Sequence, residues 1–438
     1  MPSVDLGETV ELLTIRNVSV IDMTGHPAIH GATVVLDGNR IVSVGAPSLS
    51  RDSTELDATG KFLIPGLWDM HTHPEVRPLS MFIANGVTGT RCMQAFPEII
   101  EARDEIARSR RLGPQVVAGL YLNGPSQGQT WEDWRVVSTA DTARAAVRRG
   151  NREGYEFIKV YNRLPREAYF AIIDEAHKQG LPVVGHVPWA VTPAECSNAG
   201  QRSIEHTFQI VGSSIDRYEE WRHLAAVNPS GAPGFGEFQP SVDSFRISRL
   251  SDIARIMRKN RTWLCPTLIT SALLAYGPKS SDDPRLKFLR SQLKEFWAHP
   301  QFPSTPRNRR EHPQYMETVR MLHKSGVGIL AGTDAPSVPF SYPGSSLHEE
   351  LQFLVEAGLT PLDALRSATS GPAEFFGVRE HVGTVEAGKR AELVLLDADP
   401  LTNIRNTQRI NAVITGGRIY RRPSLDKMVE FAEADARS

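Results

Sequence analysis

The chain has 438 residues, with 49 basic against 50 acidic side chains and a formal net charge of −1. That length exceeds the usual single domain, and the balanced charge gives no global field for nucleic acid or an anionic membrane. Three cysteines (Cys92, Cys196 and Cys265), none paired at a metal-like spacing, lead us to expect neither a disulfide framework nor a zinc ribbon.

The N-terminal stretch "MPSVDLGETVELLTIRNV" carries acids where a signal peptide has a positive end and an apolar run. No run is long and apolar enough to span a bilayer. The expectation is a soluble, cytoplasmic protein with no nucleic-acid or membrane partner. The first sixty residues alternate as short strands, "LLTIRNVSVID", "GATVVLDGNRIVSVG" and "LDATGKFLIPG", punctuated by the turn pairs Asp37-Gly38 and Thr59-Gly60.

From Gly66 to about Phe376 the pattern changes to apolar or β-branched runs followed by helical segments. Eight candidate strands recur: "LWDMHTH", "VTGTRCM", "QVVAGLYL", "EFIKVY", "PVVGHV", "SIEHT", "TWLCPT" and "GILAGTDA". One of the helices between them is "PREAYFAIIDEAHKQG", Pro165 to Gly180, with proline near its start and glycine at its end. Eight strand–helix units predict an α/β fold, a (β/α)8 TIM barrel. Long irregular stretches are expected at "NGPSQGQTWEDWR", at "NPSGAPGFGEFQPSVD" and from about Ser271 to His312, and they suit lids over the barrel mouth. The C-terminal end, with "GTVEAGKRAELVLLDADP" and "INAVITGGRIYRRP", returns to the hairpin texture of the N-terminus. The expected organisation is a barrel over residues 66–376 inserted in a smaller, discontinuous β-sandwich domain built from residues 1–65 and 377–438.

Chemistry concentrates at the strand ends. The first strand ends in His71 and His73, the fourth carries Lys159, the fifth ends in His186, the sixth in His206 and the eighth in Asp334. Residues i and i+2 on a strand share a face, so Asp69, His71 and His73 would all point into the barrel. Singly, each residue has an ordinary structural reading. An HxH pair is a weak motif, an interior histidine is often just hydrogen-bonded, and an aspartate can cap a turn. Lys159, inside the apolar run "YEFIKVYN", is the exception, because a buried unpaired ammonium is costly. Five strand ends converging on one mouth with such residues point jointly to a metal centre.

In that order, "PGLWDMHTH", "FIKVY", "GHV", "IEH" and "GTDA" resemble the amidohydrolase superfamily over nearly the whole chain. The sequence is most similar to its imidazolonepropionase-like and prolidase-like group with a carboxylated lysine, ochratoxinase-like members included. The resemblance implies that His71, His73 and Asp334 bind the more buried of two divalent ions, and His186 and His206 the other. Lys159, carboxylated on its side-chain nitrogen, would bridge the pair. Zinc suits such nitrogen and oxygen ligands. A hydroxide shared by the ions would attack a carbonyl carbon, with Asp334 carrying its proton to the leaving nitrogen.

The implied activity is cleavage of a small-molecule amide, a dipeptide or N-acyl amino acid, including ochratoxin-like aromatic amides, by a homo-oligomer. Esterase, lactonase or phosphotriesterase chemistry, and a mononuclear cyclic-amide hydrolase or deaminase, are the alternatives. A non-enzymatic scaffold fits less well, because the ligand set is complete. Tyr161, Asn162, Trp189 and His348 are candidate substrate contacts, Trp131 and Trp134 could line a lid, and Asp69 could orient a ligand histidine.

Overall fold

A computed structural model describes residues 7–45, 53–77, 79–125, 133–228, 242–277, 282–298 and 304–437. Trp131 and most of the two glycine-rich stretches around it and around Phe235 lie outside these residues. No described helix is long and apolar enough to cross a membrane.

Seven parallel strands form one sheet in simple chain order: Leu67–Thr72, Val87–Cys92, Gln115–Leu122, Phe157–Val160, Val183–Gly185, Ser203–Glu205 and Trp263–Cys265. Each is buried along nearly its full length, as expected where helices cover one face and side chains fill the other. The eighth segment, residues 329–335, closes the barrel without becoming a regular strand. It bridges Leu264 through Ile329 and Thr72 through Ala335. Its backbone hydrogen bonds are nonetheless made: Met70 N–H donates to Ala331 O at 2.8 Å, and Asp334 N–H to His71 O at 2.7 Å. The irregularity coincides with Asp334, whose φ of 60° is in the left-handed region that a strand does not use.

The expected helix after Pro165 spans Arg166–Lys178. It buries Ala168, Tyr169, Ile172, Ile173 and Ala176 on its inner face, and Gly180, at φ 70°, lies just beyond its end. The stretch from Ser271 to His312 departs from expectation. It continues helix Leu268–Tyr276, contains helix Ser291–Trp297 and enters helix Pro306–Lys324. These elements are short or strongly charged, so no apolar period marked them.

The two chain ends meet in a separate mixed sheet. Phe62–Pro65, which leads into the first barrel strand, pairs antiparallel with Leu393–Leu396 through Ile64↔Val394. Strands Leu12–Val20, Ile29–Asp37, Ile410–Thr415 and Arg418–Arg421 extend it on either side. Its own core includes Val18, Val34, Leu36, Leu63, Leu393 and Ile414. Beyond it, helix Arg422–Ala436 leaves the sheet and packs on barrel helix Ser80–Ala84.

Candidate metal centre

At the barrel mouth, the strand ends bring their polar residues together. Ligand-capable atoms of His71, His206 and Asp334 all lie within 4.8 Å of one another. His73 Nε2 is 3.1 Å and His71 Nε2 is 3.4 Å from Asp334 Oδ1. The rings of His71 and His206, and those of His186 and His206, have centroids 4.7 Å apart. Lys159 is fully enclosed below them, and its Nζ makes no hydrogen bond with any described residue.

Local backbone conformation aims these side chains. His206 (φ 65°), Thr267 (φ 46°) and Asp334 (φ 60°) are non-glycine residues in the left-handed region, at a cost of order 1–3 kcal/mol each. At His206 the turn breaks strand alternation, so that both Glu205 and His206 reach His71. Gly185, at φ 133°, precedes His186, and a Cβ there would lie 2.2 Å from Val160 O.

A layer of supporting bonds fixes the imidazoles. His71 Nδ1 is 2.8 Å from Glu205 Oε2, and Arg91 donates to both oxygens of Glu205 at 2.8 and 2.9 Å. Arg91 also donates to Met70 O at 2.6 Å and Ser203 Oγ at 3.0 Å. Ser203 donates to Glu205 as well. Burial opposes a charge on Glu205, but Arg91 and His71 hold it well below the usual carboxylate range. An ionised carboxylate only accepts, so His71 donates its Nδ1–H to Glu205, and its other ring nitrogen, Nε2, faces Asp334. His186 is set in the same way, with Nδ1 2.8 Å from Asn162 Oδ1. His206 Nδ1 is 2.6 Å from Thr267 Oγ1.

Burial lowers His206 to about 3 and His186 well below the ordinary value, which keeps both rings neutral. It also lowers Lys159 to about 8, against the pull of Glu205 and Asp334. Asp334 is opposed by burial, yet His71, His73 and His206 hold it well below the usual range.

These residues fit a divalent metal. Neutral imidazoles and an ionised carboxylate are its ordinary donors, and two buried nitrogens, His71 Nε2 and Lys159 Nζ, lack a hydrogen-bond partner among the described residues. A second grouping, His71, Glu205 and Cys265, is also compact. Arg91 and His71 Nδ1 already occupy its carboxylate, so it supports His71 rather than forming a rival site.

A cavity of about 530 Å³ opens above the centre, lined by Tyr161, His186, His206 and Asp334 together with residues of helices Leu268–Tyr276 and Pro306–Lys324. The candidate substrate contacts fall in different places. Tyr161 lines the cavity, its ring centroid 4.1 Å from that of His186. Asn162 serves His186 instead. Trp189 is buried against Trp221, with the Arg163 guanidinium 4.4 Å from its ring centroid. His348 must be corrected. It is buried away from the cavity, with Nδ1 2.9 Å from Thr407 Oγ1 and Nε2 3.1 Å from Asn85 O, so both ring nitrogens are engaged in packing. Trp134 lies under Arg149, 4.2 Å from its ring centroid. Asp69 orients no imidazole. It accepts from Thr333 N–H at 3.0 Å and Thr333 Oγ1 at 2.7 Å, tying the first strand to the eighth. Sequence reasoning missed Arg91 and Glu205, although a charged residue inside the apolar run "VTGTRCM" is the same signal that marked Lys159.

The family model for the amidohydrolase family matches residues 62–420. An imidazolonepropionase of Thermoplasma volcanium is 31% identical over 404 residues, covering 88% of each chain. Among solved structures, a Xaa-Pro dipeptidase with methionine bound in its active site matches with a TM-score of 0.68 at 21% identity, over 94% of this chain and 100% of that one. Ochratoxinase of A. niger matches with a TM-score of 0.66 at 19% identity, over 95% and 97%. At such identities the structural likeness speaks for the fold. The family match spans barrel and mixed sheet alike, and by it the chain belongs to the amidohydrolase family, hydrolases acting on carbon–nitrogen bonds.

Proposed function

We propose that the chain hydrolyses a small-molecule amide, of the dipeptide or N-acyl amino acid class with aromatic amides included, at a centre of two divalent ions. The observation that carries the reading is the convergence of His71, His206 and Asp334 around buried nitrogens that lack hydrogen-bond partners among the described residues. His71, His73 and Asp334 would hold one ion, and His186 and His206 the other. Lys159 would serve both once carboxylated. Its lowered pKa supports this, since the uncharged amine is the form that adds to carbon dioxide, forming an N–C bond and releasing a proton. When bound, zinc ions supply Lewis acidity and a water that ionises near neutral pH.

The chain's own groups do the rest. Asp334, ionised and beside two histidines, takes the proton of the attacking water. It returns that proton to the amide nitrogen as the C–N bond breaks and the new C–O bond forms. Burial raises Tyr161 to about 12, so its phenol stays protonated as a donor toward a carbonyl oxygen in the cavity.

The test is to load the protein with zinc, count ions per chain by mass spectrometry and assay dipeptides, N-acyl amino acids and matching esters. Amide turnover with two ions per chain is the expected result. Ester turnover without amide turnover would move the assignment to ester chemistry, and a single ion with full activity in Lys159→Ala would remove the two-ion centre.

A further inference from the structure

Phe208, Pro266, Leu274 and Val338 give the cavity above the centre apolar surface, and Thr270, Ser271, Asn308, Glu311 and Tyr315, on helices Leu268–Tyr276 and Pro306–Lys324, give it a polar wall. The polarity of that wall follows from where its protons go. Ser271 Oγ lies 2.8 Å from Leu268 O and 2.7 Å from His312 Nδ1. A carbonyl only accepts, so the hydroxyl proton goes to Leu268, and His312 Nδ1–H must donate to Ser271. Thr270 donates to Thr333 O at 3.2 Å. Tyr315 donates to Glu311 Oε2 at 3.1 Å. Arg307, which does not line the cavity, has its Nε 2.7 Å from Glu311 Oε1. Asn308 spends one amide N–H on Leu274 O at 3.1 Å and accepts at Oδ1 from Thr305 Oγ1 at 2.9 Å.

The hydroxyl donors of this wall are thus spent on protein acceptors. Facing the cavity are lone pairs of Ser271 and Thr270 and the unused pairs of the Glu311 carboxylate, which can accept about four hydrogen bonds. Among the described residues no lysine or arginine lines the cavity. We infer that this wall selects a substrate group rich in N–H donors, a primary ammonium, and disfavours a carboxylate. The inference rests on the amide-hydrolase reading and narrows it, favouring substrates with a free amino end over N-acyl amino acids whose sole charge is a carboxylate.

Three matched amides test it on the zinc-loaded enzyme: phenylalanyl-glycinamide (free amine), N-acetyl-phenylalanyl-glycinamide (neutral) and N-acetyl-phenylalanyl-glycine (carboxylate). The free amine should lead the carboxylate by at least about tenfold in kcat/KM, the equivalent of one well-placed polar contact. Glu311→Gln should cut its advantage over the neutral amide several-fold, and Thr270→Val, which keeps the side-chain shape, should do so in part. A preference for the carboxylate, or an advantage untouched in both variants, overturns the inference. Should none of the three be hydrolysed, the hydrolase reading fails separately, and calorimetric binding of 2-phenylethylamine decides the inference. Several-fold weaker binding to Glu311→Gln than to wild type supports it, and equal binding overturns it.

Discussion

Replacing Glu205 by glutamine tests whether the charged pair beneath the centre serves the metal or only the core. Glu205 accepts from His71, from Ser203 and twice from Arg91, and neither side chain of the Arg91–Glu205 pair is exposed. Glutamine keeps the shape and one carbonyl acceptor but loses the charge. Hydrogen bonds to charged groups contribute about 1.5–3 kcal/mol, against about 0.5–1.5 for neutral ones, so the His71 bond should weaken by about 1 kcal/mol. With His71 free to turn or change tautomer, zinc affinity should fall about 10–100-fold. Alanine is the wrong probe. It would strand the Arg91 guanidinium in the interior at a cost of about 3–5 kcal/mol, a large part of a stability of about 5–15 kcal/mol. The assay is chelator competition for zinc, run beside guanidinium denaturation. A Glu205→Gln protein that unfolds at the wild-type midpoint and holds zinc as tightly as wild type refutes the reasoning. Loss of fold and zinc together would assign Glu205 to the core.

Lys159→Ala should reduce the bound zinc per chain and lower kcat by about 10²-fold or more, read by elemental analysis and amide hydrolysis on one preparation; full retention of both would exclude a bridging role. Gly185→Ala sets a Cβ 2.2 Å from Val160 O at φ 133°, and should cost more than about 1–3 kcal/mol of stability and disturb His186. Its denaturation midpoint and zinc content check this, and an unchanged midpoint counts against the strain argument. Glu350 accepts from Leu268 N–H at 3.1 Å and Ile269 N–H at 2.8 Å, and burial raises its carboxyl to about 8 against an unfolded value of about 4.3. Between those values the folded chain holds on Glu350 a proton the unfolded chain has lost, so the contribution of this residue to stability should fall as pH rises from about 4.3 and level off above about 8. Glu350→Gln should flatten that slope in urea titrations at several pH values, and parallel curves for the two proteins would contradict it.

What could be read in advance depended on whether a residue's chemistry conflicted with its neighbourhood. Lys159 stood out because an ammonium in "FIKVY" has no cheap home, and the histidines at strand ends stood out once a barrel was counted. Arg91 posed the same conflict and went unread, since its partner Glu205 is 114 positions away and no local pattern links them. His348 was misassigned because "SSLHEE" does not say which face of helix Ser346–Glu356 meets the cavity; its environment comes from Asn85 and Thr407, distant in sequence. Helix Arg422–Ala436 followed a strand pattern and was absorbed into it, although its apolar positions Leu425, Met428 and Ala432 match a helical stripe.

The irregular eighth segment and the convergence of Asp334 with His71 and His73 are one feature. A regular strand through residues 329–335 would alternate its side chains and would not carry Asp334 at φ 60°. The left-handed turn instead lets one carboxylate approach His71 and His73 together, while its N–H stays bonded to His71 O at 2.7 Å. His206 and Thr267 do the same two strands and one strand earlier, the second holding the first by a 2.6 Å bond. Strain of this kind persists only where the surroundings over-determine it. Here Asp69 clamps Thr333, and Glu350 receives the N–H groups just after Thr267. These two buried carboxyl groups, neither of them in the compact groupings, hold the rim in a shape that strand periodicity alone would not predict.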